Sequence, residues 1–232
     1  MTGWIEADDF TFAIPARIES ITFSDLEAGN NFQGSIFWRI YSNASDDTPG
    51  TVLYSGLSTS VTHTATGFTD YPVSEFVNTV AITPVDLPVG TYWLALHNGP
   101  LSNSTNKFVY WEQAAGAGAR PSELSWGPLF QGPWNSNSTS DAPTSELIFQ
   151  LIGVAAPQVT AVSRSAGRPQ ITFTTSANRY YRVEYKNSLS DSTWTPVSGA
   201  ESISGTGSPV QVTDPDPNVG NLRRRFYRAI VL

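Results

Sequence analysis

The sequence predicts an all-β protein of two sandwich domains, a larger jelly-roll-like one followed by a smaller one resembling immunoglobulin or fibronectin-III folds. Three observations carry that expectation. Apolar residues recur with period two along short runs, turn-forming residues separate the runs at regular intervals, and no stretch of eleven or more residues holds a helical apolar pattern with a cap. The period-two signal is cleanest where Ile36, Trp38 and Ile40 fall on one face and where Tyr92, Leu94 and Leu96 fall on one face.

Taken in order, the front half offers strands at residues 10–14, 18–23, 34–41, 51–55, 61–66, 76–82, 90–97, 108–113 and 147–152. Between them lie Ala28-Gly-Asn-Asn31, Asp46-Asp-Thr-Pro-Gly50, Leu87-Pro-Val-Gly90 and Asn98-Gly-Pro100, each rich in residues that favour turns. The exception to this regularity is Ala114 to Ser145, a long segment of Gly, Pro, Ser and Asn. Long irregular segments in compact domains are often functional.

A domain boundary is expected at Val154-Ala-Ala-Pro-Gln158, a short Ala/Pro linker joining residues 1–153 to residues 159–232. Charge changes sign there. Residues 1–153 carry 15 acidic and 4 basic side chains, and residues 154–232 carry 5 acidic and 9 basic. The rear part offers strands at 159–163, 170–175, 180–186, 210–213 and 225–231. Its basic run Arg223-Arg-Arg-Phe-Tyr-Arg228 alternates across both faces of a strand, so its arginines are expected to pack against tyrosines and Glu184.

Composition narrows the function classes. Hydrophobic residues make up 40% of the chain and aromatic residues 12%, enough apolar area for real cores, while charged residues make up only 14%. The absence of cysteine excludes disulfides, thiolate metal sites and cysteine nucleophiles. An acidic front half argues against nucleic acid as its ligand. No apolar run is long enough for a transmembrane helix. Met1-Thr-Gly-Trp-Ile-Glu6 lacks the form of a signal peptide, so export would require a leader upstream of Met1.

No nucleophile elbow, phosphate loop or dinucleotide fingerprint occurs, and no catalytic residues are assigned. His63 and His97 have no metal-motif neighbours in sequence, and a strand-face histidine held by hydrogen bonds or solvent is the simpler expectation for each. Glu19, Glu75, Glu112 and Glu146 are carboxylates that a polysaccharide-active enzyme could pair, but any acidic β-protein has such residues. The acidic turns, above all Asp46 and Asp47, offer oxygen ligands for a structural calcium, although Asp before Pro-Gly also makes good turns.

Trp111, Trp126, Phe130 and Trp134 lie in or beside the irregular segment. Loop tryptophans among Gly, Pro and Asn can form a platform for sugar rings, and they can equally fold back as plugs over an open sandwich end.

The runs Ala7-Asp-Asp-Phe-Thr-Phe12, Ile40-Tyr-Ser42, Pro49-Gly-Thr-Val-Leu53, Leu87 to Asn98, Tyr110-Trp-Glu112 and Leu147 to Gly153 together resemble the extracellular β-domain of bacterial exported proteins with PEP-CTERM sorting tails. Ile171-Thr-Phe173, Tyr181-Arg-Val-Glu-Tyr185, Leu189 to Trp194, Gly205-Thr-Gly207 and Arg225-Phe-Tyr-Arg228 are similar to a small β-domain of secreted proteins of Verrucomicrobia and related bacteria. These resemblances imply an extracellular or cell-surface accessory, matrix or adhesion protein, and they bring no catalytic residues with them. The expected function is therefore a non-catalytic binding or structural one, with polysaccharide or a surface component as partner. Its alternatives are a fibre subunit associating head to tail through opposite charges, and a carboxylate-dependent enzyme.

Overall fold

Thirteen strands occupy the front unit of the computed structural model, which describes residues 1–70, 72–103, 109–115, 123–125, 132–136, 145–222 and 224–232. They are β1 (Ile5–Phe12), β2 (Ala16–Glu27), β3 (Ile36–Asn43), β4 (Pro49–Ser58), β5 (Val61–Asp70), β6 (Val73–Leu87), β7 (Gly90–Asn98), β8 (Val109–Trp111), β9 (Gln113–Ala115), β10 (Glu123–Ser125), β11 (Trp134–Ser136), β12 (Ser145–Leu147) and β13 (Phe149–Ala155). Sheet one has the order β11-β10-β1-β7-β3-β4, and sheet two the order β13-β2-β6-β5 with β8 also paired to β2. Strands β9 and β12 form a separate pair.

The alternation explains the sandwich. Ile36, Trp38, Ile40, Tyr92, Leu94 and Leu96 from sheet one share one buried cluster with Ile18, Ile21, Phe23, Val80, Ile82, Val85, Leu87, Val109 and Trp111 from sheet two. The central strands β2, β3, β6 and β7 put every second side chain between the sheets, as the period of two requires. Gly56 fits this packing closely, since a Cβ there would lie 2.9 Å from the Trp38 ring.

Sheet one differs from a simple half-exposed sheet. Its other face is buried too, through Ile5, Ala7, Tyr41, Trp93 and Ala95, with Val52, Leu101 and Trp134 against them. This changes the expectation for the segment Ala114 to Ser145, whose described parts contribute β9, β10 and β11. The latter two extend sheet one beyond β1.

Internal contacts divide the chain between Gly153 and Val154. Val154 and Ala155, expected in the linker, continue β13, and Val154 packs against the core of the rear unit. That unit holds β14 (Val159–Ser165), β15 (Arg168–Phe173), β16 (Tyr180–Lys186), β17 (Thr195–Pro196), β18 (Ile203–Ser204), β19 (Val210–Thr213) and β20 (Phe226–Val231). One sheet runs β14-β15-β19, and the other is built on β16, which pairs with β17, β18 and β20. Phe173, Tyr181, Val183, Val197, Ala200 and Val231 make its core. Among the described residues the one helical element is a 3-10 turn at Val219–Asn221, and no helix is long and apolar enough to cross a membrane.

The arginines of the tail pack as alternation predicts. Arg225 bonds Asp214 and Asp216 and lies over the Tyr185 ring, while Arg228 bonds Glu184 and lies over Trp194. Arg225 and Arg228 thus hold β16, β20 and the acidic turn together.

Candidate metal centre

Strand β2 carries an inward-facing series that begins apolar and ends acidic. Ile21, Phe23, Asp25 and Glu27 all sit at alternate, buried positions. Register places Phe23 opposite Asn78 of β6, and His63 of β5 opposite the same Asn78. Three adjacent strands therefore deliver Asp25, Glu27, Asn78 and His63 to one end of the inner face of sheet two.

Asp25, Glu27 and Asn78 are buried, and His63 is half-buried. One ligand atom from each of Asp25, Glu27 and His63 can be chosen so that all three lie within 4.8 Å of one another. The imidazole is held flat between two phenyl rings, with centroids 4.4 Å from Phe32 and 4.2 Å from Phe76 and interplanar angles of 13° and 14°. Stacking on both faces leaves only the ring edge available for polar partners.

The edge contacts set the tautomer. Nδ1 of His63 lies 2.8 Å from Oδ1 of Asn78. An amide oxygen only accepts, so Nδ1 carries a proton, and in the neutral tautomer Nε2 then presents a lone pair. That Nε2 faces Oε1 of Glu27 at 3.4 Å without hydrogen-bond geometry. The other Glu27 oxygen is occupied, since Oε2 accepts the backbone N–H groups of Asn31 and Phe32, each at 3.1 Å. Glu27 thereby ties the turn at Ala28 to Phe32 over the site.

Several buried polar atoms remain unsatisfied. Among the described residues, both Asp25 oxygens, Glu27 Oε1, His63 Nε2 and Asn78 Nδ2 have no hydrogen-bond partner of acceptable geometry. Burial raises the Asp25 pKa to about 8, with the Glu27 charge adding to the rise and the nearby Asn78 amide opposing it. The Asn78 amide is thus close enough to act on Asp25 without making a well-formed hydrogen bond. The Met1 ammonium donates to the Val109 carbonyl at 2.5 Å, and burial lowers its pKa to about 6 against the stabilising charges of Glu6 and then Asp25.

Among the described residues, none of those assigned to a ligand or calcium site from sequence supplies a ligand atom to this cluster. Trp111 is a core residue, which corrects its assignment to a ligand platform: it is 2% exposed, packs edge-on against Phe23 and Phe149, and donates from its indole to the Ile148 carbonyl at 2.8 Å. No face of that ring is open to a sugar. Trp134 is half-buried on β11, edge-on to Tyr41 at 5.4 Å. Trp126 and Phe130 lie outside the described residues.

Asp46 and Asp47 are exposed, and their carboxylates accept from Thr48 and Asn43, both at 2.8 Å. Those bonds, with Asp47 at φ +59°, are the chemistry of the turn itself. Of the four carboxylates considered for catalysis, Glu75 and Glu112 meet. Burial raises the Glu112 pKa first, and then the neighbouring Glu75. Glu19 sits near the start of β2, and Glu146 lies by Asp9.

His97 is buried with Nδ1 2.9 Å from the Gly99 carbonyl, the hydrogen-bonded strand histidine the sequence suggests. His63 is likewise a hydrogen-bonded strand histidine, through Nδ1 and Asn78, but it also lies beside the carboxylates of Glu27 and Asp25 from a strand distant in sequence. No protein-family model matches the chain, and no curated protein matches it.

Proposed function

We propose that this chain is a non-catalytic binding protein of the cell exterior whose front unit engages polysaccharide through the outer face of sheet two. The observation that carries this reading is a row of hydroxyls across three strands. Thr22, Thr79 and Thr62 are direct cross-strand neighbours, with the Thr22 and Thr79 hydroxyls 3.2 Å apart, and Ser24 and Thr64 flank Val77 one rung away. Adjacent strands lie about 4.8 Å apart, so the row presents evenly spaced donors and acceptors on a pleated surface. Polyhydroxylated chains suit such a face, because direct and water-bridged hydrogen bonds can be exchanged along it without burying charge.

The test is retention of the full chain on insoluble polysaccharides, beside a glycan array, with a Thr62→Val/Thr79→Val variant as control. Retention that weakens in the variant, with no soluble product, supports the reading. Release of reducing ends would instead favour catalysis, for which the Glu75 and Glu112 pair is the place to look.

A fibre subunit is favoured by one observation of its own. Strand β5 is a sheet edge whose run from Val61 to Thr69 carries no Asp, Glu, Lys or Arg, and Phe68 on it is 57% exposed. Such an edge can accept another strand. Concentration-dependent light scattering that Phe68→Lys abolishes would support this second reading.

A further inference from the structure

Asp25, Glu27 and His63 make poor sense as an apolar core that happens to contain polar groups. Two carboxylates buried side by side repel, and each unpaired charge in such a setting is costly. A proton on Asp25 would relieve part of this cost, yet among the described residues neither Asp25 oxygen has a hydrogen-bond partner, and His63 Nε2 faces Glu27 Oε1 at 3.4 Å without hydrogen-bond geometry. The Met1 ammonium does not fill that gap, since it is hydrogen-bonded to Val109 and acted on more strongly by Glu6 than by Asp25.

We infer that Asp25, Glu27 and His63 bind one divalent transition-metal ion of the zinc class, which pins the turn at Ala28 to Phe32 to the end of the sandwich. Four features support it. The Nδ1–H of His63 is donated to Asn78, the outer contact that fixes a metal-binding imidazole with Nε2 free to coordinate. Nε2 and Glu27 Oε1 are 3.4 Å apart, close to the roughly 3.3 Å that separates two ligands on a tetrahedral ion with bonds of about 2.0 to 2.1 Å. Among the described residues the buried oxygens of Asp25 have no hydrogen-bond partner, and one of them lies within the same small sphere. Finally, a dication neutralises the charges of Asp25 and Glu27 together.

Donor type decides the class of ion. Calcium takes six to eight oxygens, whereas this pocket supplies an imidazole nitrogen and carboxylate oxygens, with the Asn78 oxygen already used by His63. Zinc is satisfied by three protein ligands and a fourth from water. The Phe32 and Phe76 rings, stacked on both faces of the imidazole, hold Nε2 in the plane where that ion would sit.

The experiment uses the full chain stripped with chelator and titrated calorimetrically with zinc, with calcium and magnesium as comparators, and metal content measured after desalting. One zinc per chain is expected, with a higher melting midpoint than the stripped protein. Asp25→Asn and His63→Gln should each weaken binding by more than about 100-fold, beyond the range typical of outer-shell changes. On the unmutated chain, zinc should move the Nε2 nitrogen resonance of His63 and leave that of His97 in place, a readout independent of whether the variants fold. Folded protein that retains no zinc, an unmoved His63 resonance, or preference for calcium over zinc would each overturn the inference.

Discussion

Arg225 and Asp214 form a buried ion pair at 2.8 Å in the rear unit, with side chains 5% and 2% exposed. Asp214 Oδ2 also accepts the Tyr227 hydroxyl at 2.8 Å, and a second Arg225 nitrogen reaches Asp216 at 2.8 Å. Removing the guanidinium leaves Asp214 charged and buried with only the Tyr227 hydroxyl and the Asp216 N–H to answer it. Arg225→Met should therefore destabilise the rear unit by about 3 to 5 kcal/mol, the range for breaking one side of a buried pair. Adding Asp214→Asn to that variant should restore part of the loss. Urea unfolding followed by fluorescence would measure both, and equal loss in single and double variants would show that the pair is not coupled.

Gly153 lies against the backbone of β2. A Cβ at this position would stand 1.9 Å from the Arg17 carbonyl oxygen and 2.8 Å from its carbon. Backbone cannot rotate away as a long side chain can, so Gly153→Ala must displace β13 from β2. We expect a loss of several kcal/mol or failure to fold, against a change within about 0.5 kcal/mol for Gly3→Ala, where nothing lies within 4 Å. Thermal melts of the two variants make the comparison.

Alternation made the sandwich legible because the inner faces obey it. Ile36, Trp38, Ile40 and their partners on β7 could be placed from spacing alone, as could the packing of the tail arginines. The second buried face of sheet one was hidden, since Trp93 and Ala95 occupy positions that alternation assigns to solvent, and only the covering residues Leu101 and Trp134 reveal otherwise. Trp111 was misplaced for a related reason. The strand at 108–113 is legible, but its pairing with the end of β2, which turns the Trp111 ring inward, is not. The candidate site depends on three strands meeting through register, which local patterns do not encode. One signal was present: Asp25 and Glu27 continue the inward parity of Ile21 and Phe23, and carboxylates at core positions ask for a partner.

Asp8 gives the front unit a pH dependence with a definite sign. Burial raises its pKa to about 7, Glu146 and Asp9 add to the rise, and the N–H groups of Leu147 and Asp9 oppose it. Between about pH 4 and pH 7 the folded carboxyl holds a proton that the unfolded chain has released, so the unfolded state binds fewer protons and stability falls as pH rises. Below that window the contribution is fully present, and above it the loss is complete. Asp8→Asn keeps an acceptor for the Leu147 N–H, which bonds Asp8 Oδ2 at 2.5 Å, and removes the titration. The difference in stability between wild type and Asp8→Asn should grow in favour of the variant by about 1 to 4 kcal/mol from pH 4 to pH 8. A constant difference across that range would place the Asp8 carboxyl in a solvated setting.

Trp111 and the hydroxyl row allow core and surface to be separated by one pair of variants. Trp111→Ala removes a ring that touches Phe23 and Phe149 and leaves the Ile148 carbonyl without its indole donor. Losses of about 3 to 5 kcal/mol accompany such truncations of buried aromatics. Thr64, one rung from the Thr22 and Thr79 pair, is exposed on β5, so Thr64→Val should leave the melt nearly unchanged. If polysaccharide is held on the outer face of sheet two, Thr64→Val should weaken retention while Trp111→Ala, assayed at a temperature where it stays folded, should not. The opposite pattern would move the binding surface away from the hydroxyl row and back toward the end of the sandwich where Trp111 sits.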